Sequence, residues 1–271
     1  MIRRLALLAC LPCALGCREQ LRPAAELAAG FEAAGVEQRQ RLAMQLQRHG
    51  AEAVPQWRTL LGSKQFDVHQ KAAAALQSLG PAAAPAVPEL AKFLRNSFFA
   101  GQKPSTMNPD ERFKHPDPGR RAASRALAAV GSAALPAIRE VLHAPDGRAR
   151  QESAITLGSM GHTAAPARPD LIAALRDQDR AVAAAAAWAL GEIGLDDPAR
   201  DALIGMSAAP LWIVRLEALR ALVKGSTGAP SDALRKAVEA RRDDEHPLVR
   251  DNAREALAEL AKRTPPPAGN P

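Results

Sequence analysis

Residues 182–194 read Val-Ala-Ala-Ala-Ala-Ala-Trp-Ala-Leu-Gly-Glu-Ile-Gly. Alanine and leucine are strong helix formers, and Val182, Ala186, Ala187, Ala189, Leu190 and Ile193 recur at helical spacing. The stretch therefore predicts a helix with an apolar stripe. Its small side chains let a neighbouring helix approach closely. Gly194 closes it, since a residue without Cβ can take the left-handed conformation that ends a helix.

The same frame recurs along the chain. Val68, Ala72, Ala73, Ala75, Leu76, Leu79 and Gly80 fit it, as do Arg120, Ala123, Ala126, Leu127, Val130 and Gly131. Arg150, Ala154, Leu157, Gly158, Met160 and Gly161 follow. Val214, Arg215, Ala218, Ala221 and Leu222 run up to Ser226, and Val249, Arg250, Ala253, Ala256, Leu257 and Leu260 up to Ala261. A weaker first copy ends at Gly50. The closing positions are 50, 80, 131, 161, 194, 226 and 261, and their steps are 30, 51, 30, 33, 32 and 35. The long step is one unit plus about 20 inserted residues, which places an insertion at 97–118. Prolines at 55, 85, 136 and 166 are expected to open the following units, each with a short first helix such as Pro136–Leu142 or Pro169–Leu175. One pair cannot bury its apolar face alone, but stacked pairs can.

This phased series resembles short bacterial HEAT-like repeats over about residues 36–263, whose second helix reads roughly V-R-x-x-A-A-x-A-L-G-x-I-G. The resemblance implies an all-α, right-handed α-solenoid of about six to seven stacked helix pairs, with the second helices on the concave side. It also implies a structural role for the arginine of the frame, Arg120, Arg150, Arg215 and Arg250. In similar repeats that arginine pairs with an acidic turn residue of the neighbouring unit, and Asp67, Asp117, Asp146, Asp179 and Asp244 are the candidates here. Ala183 replaces the arginine in residues 182–194.

Composition agrees with helices. Hydrophobic residues make up 47%, much of it alanine, aromatics are 3%, and tyrosine is absent. A compact α/β enzyme would use more β-branched and aromatic residues. The six histidines are scattered and form no i, i+4 pair, and no H-E-x-x-H, P-loop, dinucleotide fingerprint or G-x-S-x-G occurs. No catalytic residue, metal ligand or cofactor is expected. Acidic pairs such as Asp196-Asp197 and Asp243-Asp244 suit helix caps.

The leader sets the expected compartment. Met-Ile-Arg-Arg precedes an apolar run from Leu5 to Leu15 and then Gly16-Cys17. That run is too short for a bilayer span, which needs ~20 residues. Residues 1–17 resemble a bacterial lipoprotein signal peptide, which implies lipidation at Cys17 and an exported, periplasmic or outer-membrane-associated protein. Leu7-Leu8-Ala9-Cys10 matches the motif more closely but leaves an apolar run that is shorter still; an ordinary secretory signal or an uncleaved anchor are the other readings. All three cysteines, Cys10, Cys13 and Cys17, lie here, so the body has no disulfide. The net charge of +7 includes Arg3 and Arg4 of this leader. Residues 18–35 are a tether or a capping helix, and 264–271 a proline-rich disordered tail.

The partner surface is read from the outward slots of the second helices. These give Arg121 and Arg125, then Ile155, then Ala184, Ala185 and Trp188, then Glu217, Arg220 and Lys224, and finally Asp251, Asn252, Glu255 and Glu259. An apolar patch at Trp188 is thus flanked by basic residues and followed by an acidic end; tryptophan and arginine are common binding hot spots. Phe98, Phe99 and Phe113 in the insertion are further contact candidates. The expected function is a non-catalytic scaffold of the cell envelope that binds a protein or peptide. Nucleic-acid binding and a role like that of the HEAT-like bilin lyases are the alternatives; export weighs against both, the acidic last unit opposes the first, nothing in the sequence marks a bilin site for the second, and no small-molecule substrate is expected.

Overall fold

The computed structural model describes residues 22–96 and 118–263. Among them are fourteen α-helices and no strand. They form seven pairs: α1 (Ala24–Ala29) with α2 (Val36–Gln47), α3 (Val54–Leu61) with α4 (Phe66–Leu79), and α5 (Val87–Arg95) with α6 (Pro118–Val130). Then come α7 (Leu135–Leu142) with α8 (Gly147–Ser159), α9 (Arg168–Ala174) with α10 (Arg180–Ile193), α11 (Asp197–Met206) with α12 (Trp212–Gly225), and α13 (Asp232–Glu239) with α14 (Pro247–Lys262). The odd-numbered first helices stack on one another in chain order, and so do the even-numbered second helices, which gives two layers. The core lies between the layers and runs the length of the array as one cluster, from Leu27 to Leu260.

The ends of the second helices show why the frame closes on glycine. Gly80 has φ 56° and ψ −130°, and Gly194 has φ 91° and ψ 148°. Both lie in regions that only glycine enters cheaply. The closing glycines Gly50, Gly80, Gly131, Gly161 and Gly194 all take the expected positive φ, and at Gly80 and Gly194 the ψ is extended rather than helical. The chain does not coil back at the helix end. At Gly80 it turns directly into a 3-10 segment that leads to the next first helix. The proline expectation is corrected at two positions. Pro55 and Pro136 do sit in the first turn of α3 and α7. Pro85 and Pro166 instead lie inside the 3-10 segments 80–86 and 161–167. There the first-turn position falls to Pro88 and Pro169, whose missing N–H has no partner to lose.

The first helix, α1, packs against α2 and α3. Leu27 and Phe31 are fully buried, and the Phe31 ring meets Trp57 of α3 edge-on with centroids 5.8 Å apart. Burying two such side chains contributes about 1.5–3 kcal/mol each. The leader with Cys17, the insertion residues 97–117 with Phe98, Phe99, Phe113 and Asp117, and the tail 264–271 lie outside the described residues.

Candidate binding face

Arginines tie the units together at the turns between first and second helices. Arg150 of α8 donates from Nε and Nη2 to both carboxylate oxygens of Asp177, at 2.7 and 2.8 Å, and from Nη1 to the Ala144 and Pro145 carbonyls. Arg215 of α12 repeats this toward Asp244, at 2.7 Å, with the Ala209 and Pro210 carbonyls on its other nitrogen. Arg120 of α6 donates to Asp146 and to the Arg95 carbonyl. In each case the acid belongs to the next unit. Asp179, named from sequence as a candidate, instead caps α10 by accepting the Ala181 N–H; the hydrogen-bonded partner of Arg150 is Asp177, two residues earlier. Arg250 donates to the Asp244 carbonyl of its own turn.

Arg39 of α2 is a further rung that the sequence reading missed. It donates to both oxygens of Asp67, at 2.8 and 2.7 Å, and to the Phe31 carbonyl. Its signal was the spacing: Arg39 precedes Gly50 by the interval that separates Arg120 from Gly131. His69 occupies the same slot in α4, fully buried against Phe93 with ring centroids 3.9 Å apart.

These pairs set the charge state of the turns. Burial works against the Asp244 carboxylate. The hydrogen bonds from Arg215 and the His246 N–H, with the Arg215 and Arg241 charges, overcome it and hold the group below the usual carboxylate range. Asp67 beside Arg39 and Asp177 beside Arg150 are held low by the same balance.

The outward slots of the second helices form a separate surface. Its centre is an apolar groove of about 320 Å³, lined by Ile155 of α8, Ala184, Ala185 and Trp188 of α10, and Ile213 and Glu217 of α12. The alanines are almost fully buried and make the floor; Ile155, Trp188 and Ile213 are half-buried and make the walls. Trp188 is seated by a missing side chain. A Cβ on Gly158 would overlap its ring and lie 2.9 Å from the Ala189 Cα. Beyond Trp188 a second hollow of about 550 Å³ is lined by Glu192, Glu217, Arg220, Lys224, Asn252, Glu255 and Glu259, among others.

The sequence reading placed basic residues on both sides of Trp188. Arg121 and Arg125 are exposed on one side. On the other, Arg220 donates to Glu217 at 2.9 Å and Lys224 to Glu192 at 2.5 Å. Both cations are thus matched by carboxylates, Glu259 accepts from Arg263 at 3.2 Å, and Glu255 is left as the acid in excess among these described residues. Ile213 and Glu192 join the site unpredicted, since α12 leans its first turn toward α10. Glu217 stands between the two hollows. Burial pushes its carboxyl above the usual range, against the charge and hydrogen bond of Arg220.

Among the described residues no cluster of three or more His, Cys, Asp or Glu could hold a metal ion, and no helix is long and apolar enough to cross a membrane.

Comparison with known proteins places this geometry. Residues 168–258 match the family model of HEAT repeats, and residues 119–143 match that of the PBS lyase HEAT-like repeat. Searching curated proteins gives no match. Among solved structures, an archaeal HEAT-like repeats protein from Thermococcus onnurineus NA1 is 14% identical, with TM-score 0.51 over 89% of this chain and 98% of its own. Importin beta is 17% identical, with TM-score 0.62 over 89% of this chain and 36% of its own. At such identities the likeness is one of fold. The chain is an all-α solenoid of helix pairs, and it is similar to HEAT repeats over residues 168–258 and to a HEAT-like repeat over residues 119–143.

Proposed function

We propose that the protein is a non-catalytic scaffold whose second helices form a concave face that takes up a segment of a protein partner. The apolar groove at Trp188 carries this reading. Elsewhere on the second helices the exposed large apolar side chains are Val36 and Met44 of α2 and Leu248 of α14, whereas here three from three successive second helices share one open groove. Two half-buried isoleucines and a tryptophan supply the contact type that dominates binding energy. Close Gly and Ala contacts between second helices draw that layer together, which supports placing it on the inside of the curve. The acidic half of the face opposes a phosphate backbone. In this reading the leader exports the chain, and lipid on Cys17 tethers it in the bacterial envelope as a periplasmic or outer-membrane-associated protein.

A photo-crosslinking residue at Ile155, with one at Arg176 on the first-helix side as control, tests the face in intact cells. A defined adduct from position 155 and none from 176 is expected. No adduct from either, or equal yield from both, refutes the proposed face. For the anchor, fatty-acid labelling should be lost in Cys17→Ala; retained labelling would refute lipidation at that residue.

A further inference from the structure

The two hollows meet at Trp188, and their chemistry differs in kind. One is apolar with a single carboxylate at its rim. The other holds four glutamates, of which Glu192 takes Lys224, Glu217 takes Arg220 and Glu259 takes Arg263, so that Glu255 is the carboxylate in excess. Asn252 adds an acceptor to the second hollow: its Oδ1 is buried and takes no hydrogen bond among the described residues. Each carboxylate oxygen and this amide oxygen can only accept, so the surplus on this side calls for donors. On the far side of the groove, toward the N-terminus, Arg121 and Arg125 are exposed, and no described carboxylate lies within ion-pair distance of either. A cation is therefore favoured on one side of Trp188 and repelled on the other.

Resting on the reading of this face as the binding face, we infer that its occupant is an extended cationic segment of a partner protein. One apolar side chain enters the Trp188 groove, and Lys or Arg residues lie over α12 and α14. Spacing follows from the fold. Neighbouring second helices are ~8–10 Å apart, and an extended chain advances about 3.3 Å per residue. Crossing from α10 to α12 thus takes about three residues, and reaching α14 about six. The recognised pattern is an apolar residue with basic residues about three and six positions along. Glu217, at the junction, meets the first of them. Its half-buried carboxylate is the group that gains most from a donor, since burial already disfavours its charge.

The test uses the full chain and capped, labelled nonapeptides read by fluorescence anisotropy. One has leucine with arginines three and six residues away, a second has that order reversed, and a third carries glutamate in place of arginine. At least one arginine peptide should bind tenfold or more tightly than the glutamate peptide. Glu255→Gln should weaken it about twofold, from one exposed pair at about 0.5 kcal/mol, and flatten its salt dependence. Trp188→Ala should abolish binding; Ile155→Ser, which leaves the Gly158 contact intact, covers the case where Trp188→Ala misfolds. Equal binding of the glutamate peptide, unchanged affinity in the glutamine variant, or no binding of either arginine peptide would overturn the inference. If crosslinks at position 155 persist in that event, the binding face stands and only its assigned ligand falls; if they fail too, the face itself is wrong.

Discussion

Asp244→Asn isolates the strongest rung of the arginine ladder. Asparagine keeps the size of the side chain and an oxygen for the His246 N–H, which donates to Asp244 Oδ1 at 3.0 Å. What it removes is the charge facing Arg215. The two side chains are 4% and 3% exposed, so the guanidinium would remain in a dry site. Breaking a buried pair by removing one partner costs about 3–5 kcal/mol. Here the Ala209 and Pro210 carbonyls still accept from Arg215, and Glu245, at 3.2 Å but 83% exposed, supplies part of the lost charge. A cost of about 2–3 kcal/mol is therefore expected, below the full range. In a repeat array this loss is local, since each unit contacts only its neighbours. Native-state hydrogen exchange should show α13 and α14 opening roughly 30- to 150-fold more readily, while α1 to α8 stay unchanged. Adding Arg215→Met should recover most of the loss, because it removes the stranded charge. A change below about threefold in α14, a uniform change over all helices, or no recovery in the double variant would refute the reasoning.

Glu217→Gln should stabilise the protein at neutral pH. The folded carboxyl sits above its unfolded value, so the native state holds the proton longer and loses stability as pH rises through that window. Denaturant titrations should show the gain shrinking as pH falls through the folded value and vanishing below the unfolded one, and an equal gain at all pH would contradict it. Gly158→Ala and Gly191→Ala should each destabilise by about 1–3 kcal/mol, because the new methyl meets the Trp188 ring in one case and the Ala221 Cα at 2.7 Å in the other; urea midpoints read the loss, and a shift in tryptophan emission should accompany only the first. Acid should open the junctions tied by arginine–aspartate pairs before the junction of α10 with α12. Asp67, Asp177 and Asp244 are all held low, so their contribution is present above the unfolded carboxylate value and is lost as pH falls through the folded one. The junction of α10 with α12 has no such pair, so exchange at low pH should leave it protected after α14 has opened; loss in the reverse order would count against this account.

The second helices were legible because their signal is redundant. A closing glycine, paired alanines and a leucine each mark the same register, and seven copies fix it to within a residue or two. The turns were less legible because several acids compete there. Asp177 and Asp179 both lie within reach of the Arg150 slot, and only the backbone path shows that one bonds the arginine while the other caps a helix. The groove was half legible. Trp188 and Ile155 fall in outward slots of the frame, but Ile213 precedes the frame of its own copy and so carried no periodic signal. Charge along the face was misjudged for a different reason. Reading Arg220 and Lys224 as a basic flank leaves out that Glu217 takes Arg220 and that Glu192 reaches Lys224 across the gap between adjacent second helices.

The site and the missing rung have one origin. At the junction of α10 with α12 the ladder position is Ala183, and the facing turn, Ser207 to Leu211, has no acid. Cohesion comes instead from close approach: a Cβ on Gly191 would lie 2.7 Å from the Ala221 Cα, and one on Gly225 would meet Leu195 at 2.6 Å and the Gly191 Cα at 3.3 Å. Dispersion contacts at that range need small residues on both helices. The run of alanines that satisfies this need also lowers the surface at Ala184 and Ala185. Larger neighbours on α8 and α12 then stand proud of it, and a groove follows without any loop or insertion to build it. Replacing Ala184 or Ala185 by a larger residue would fill the groove while leaving the Gly191 and Gly225 contacts in place. Stability and binding are therefore separable at this helix, although a single compositional choice produced both.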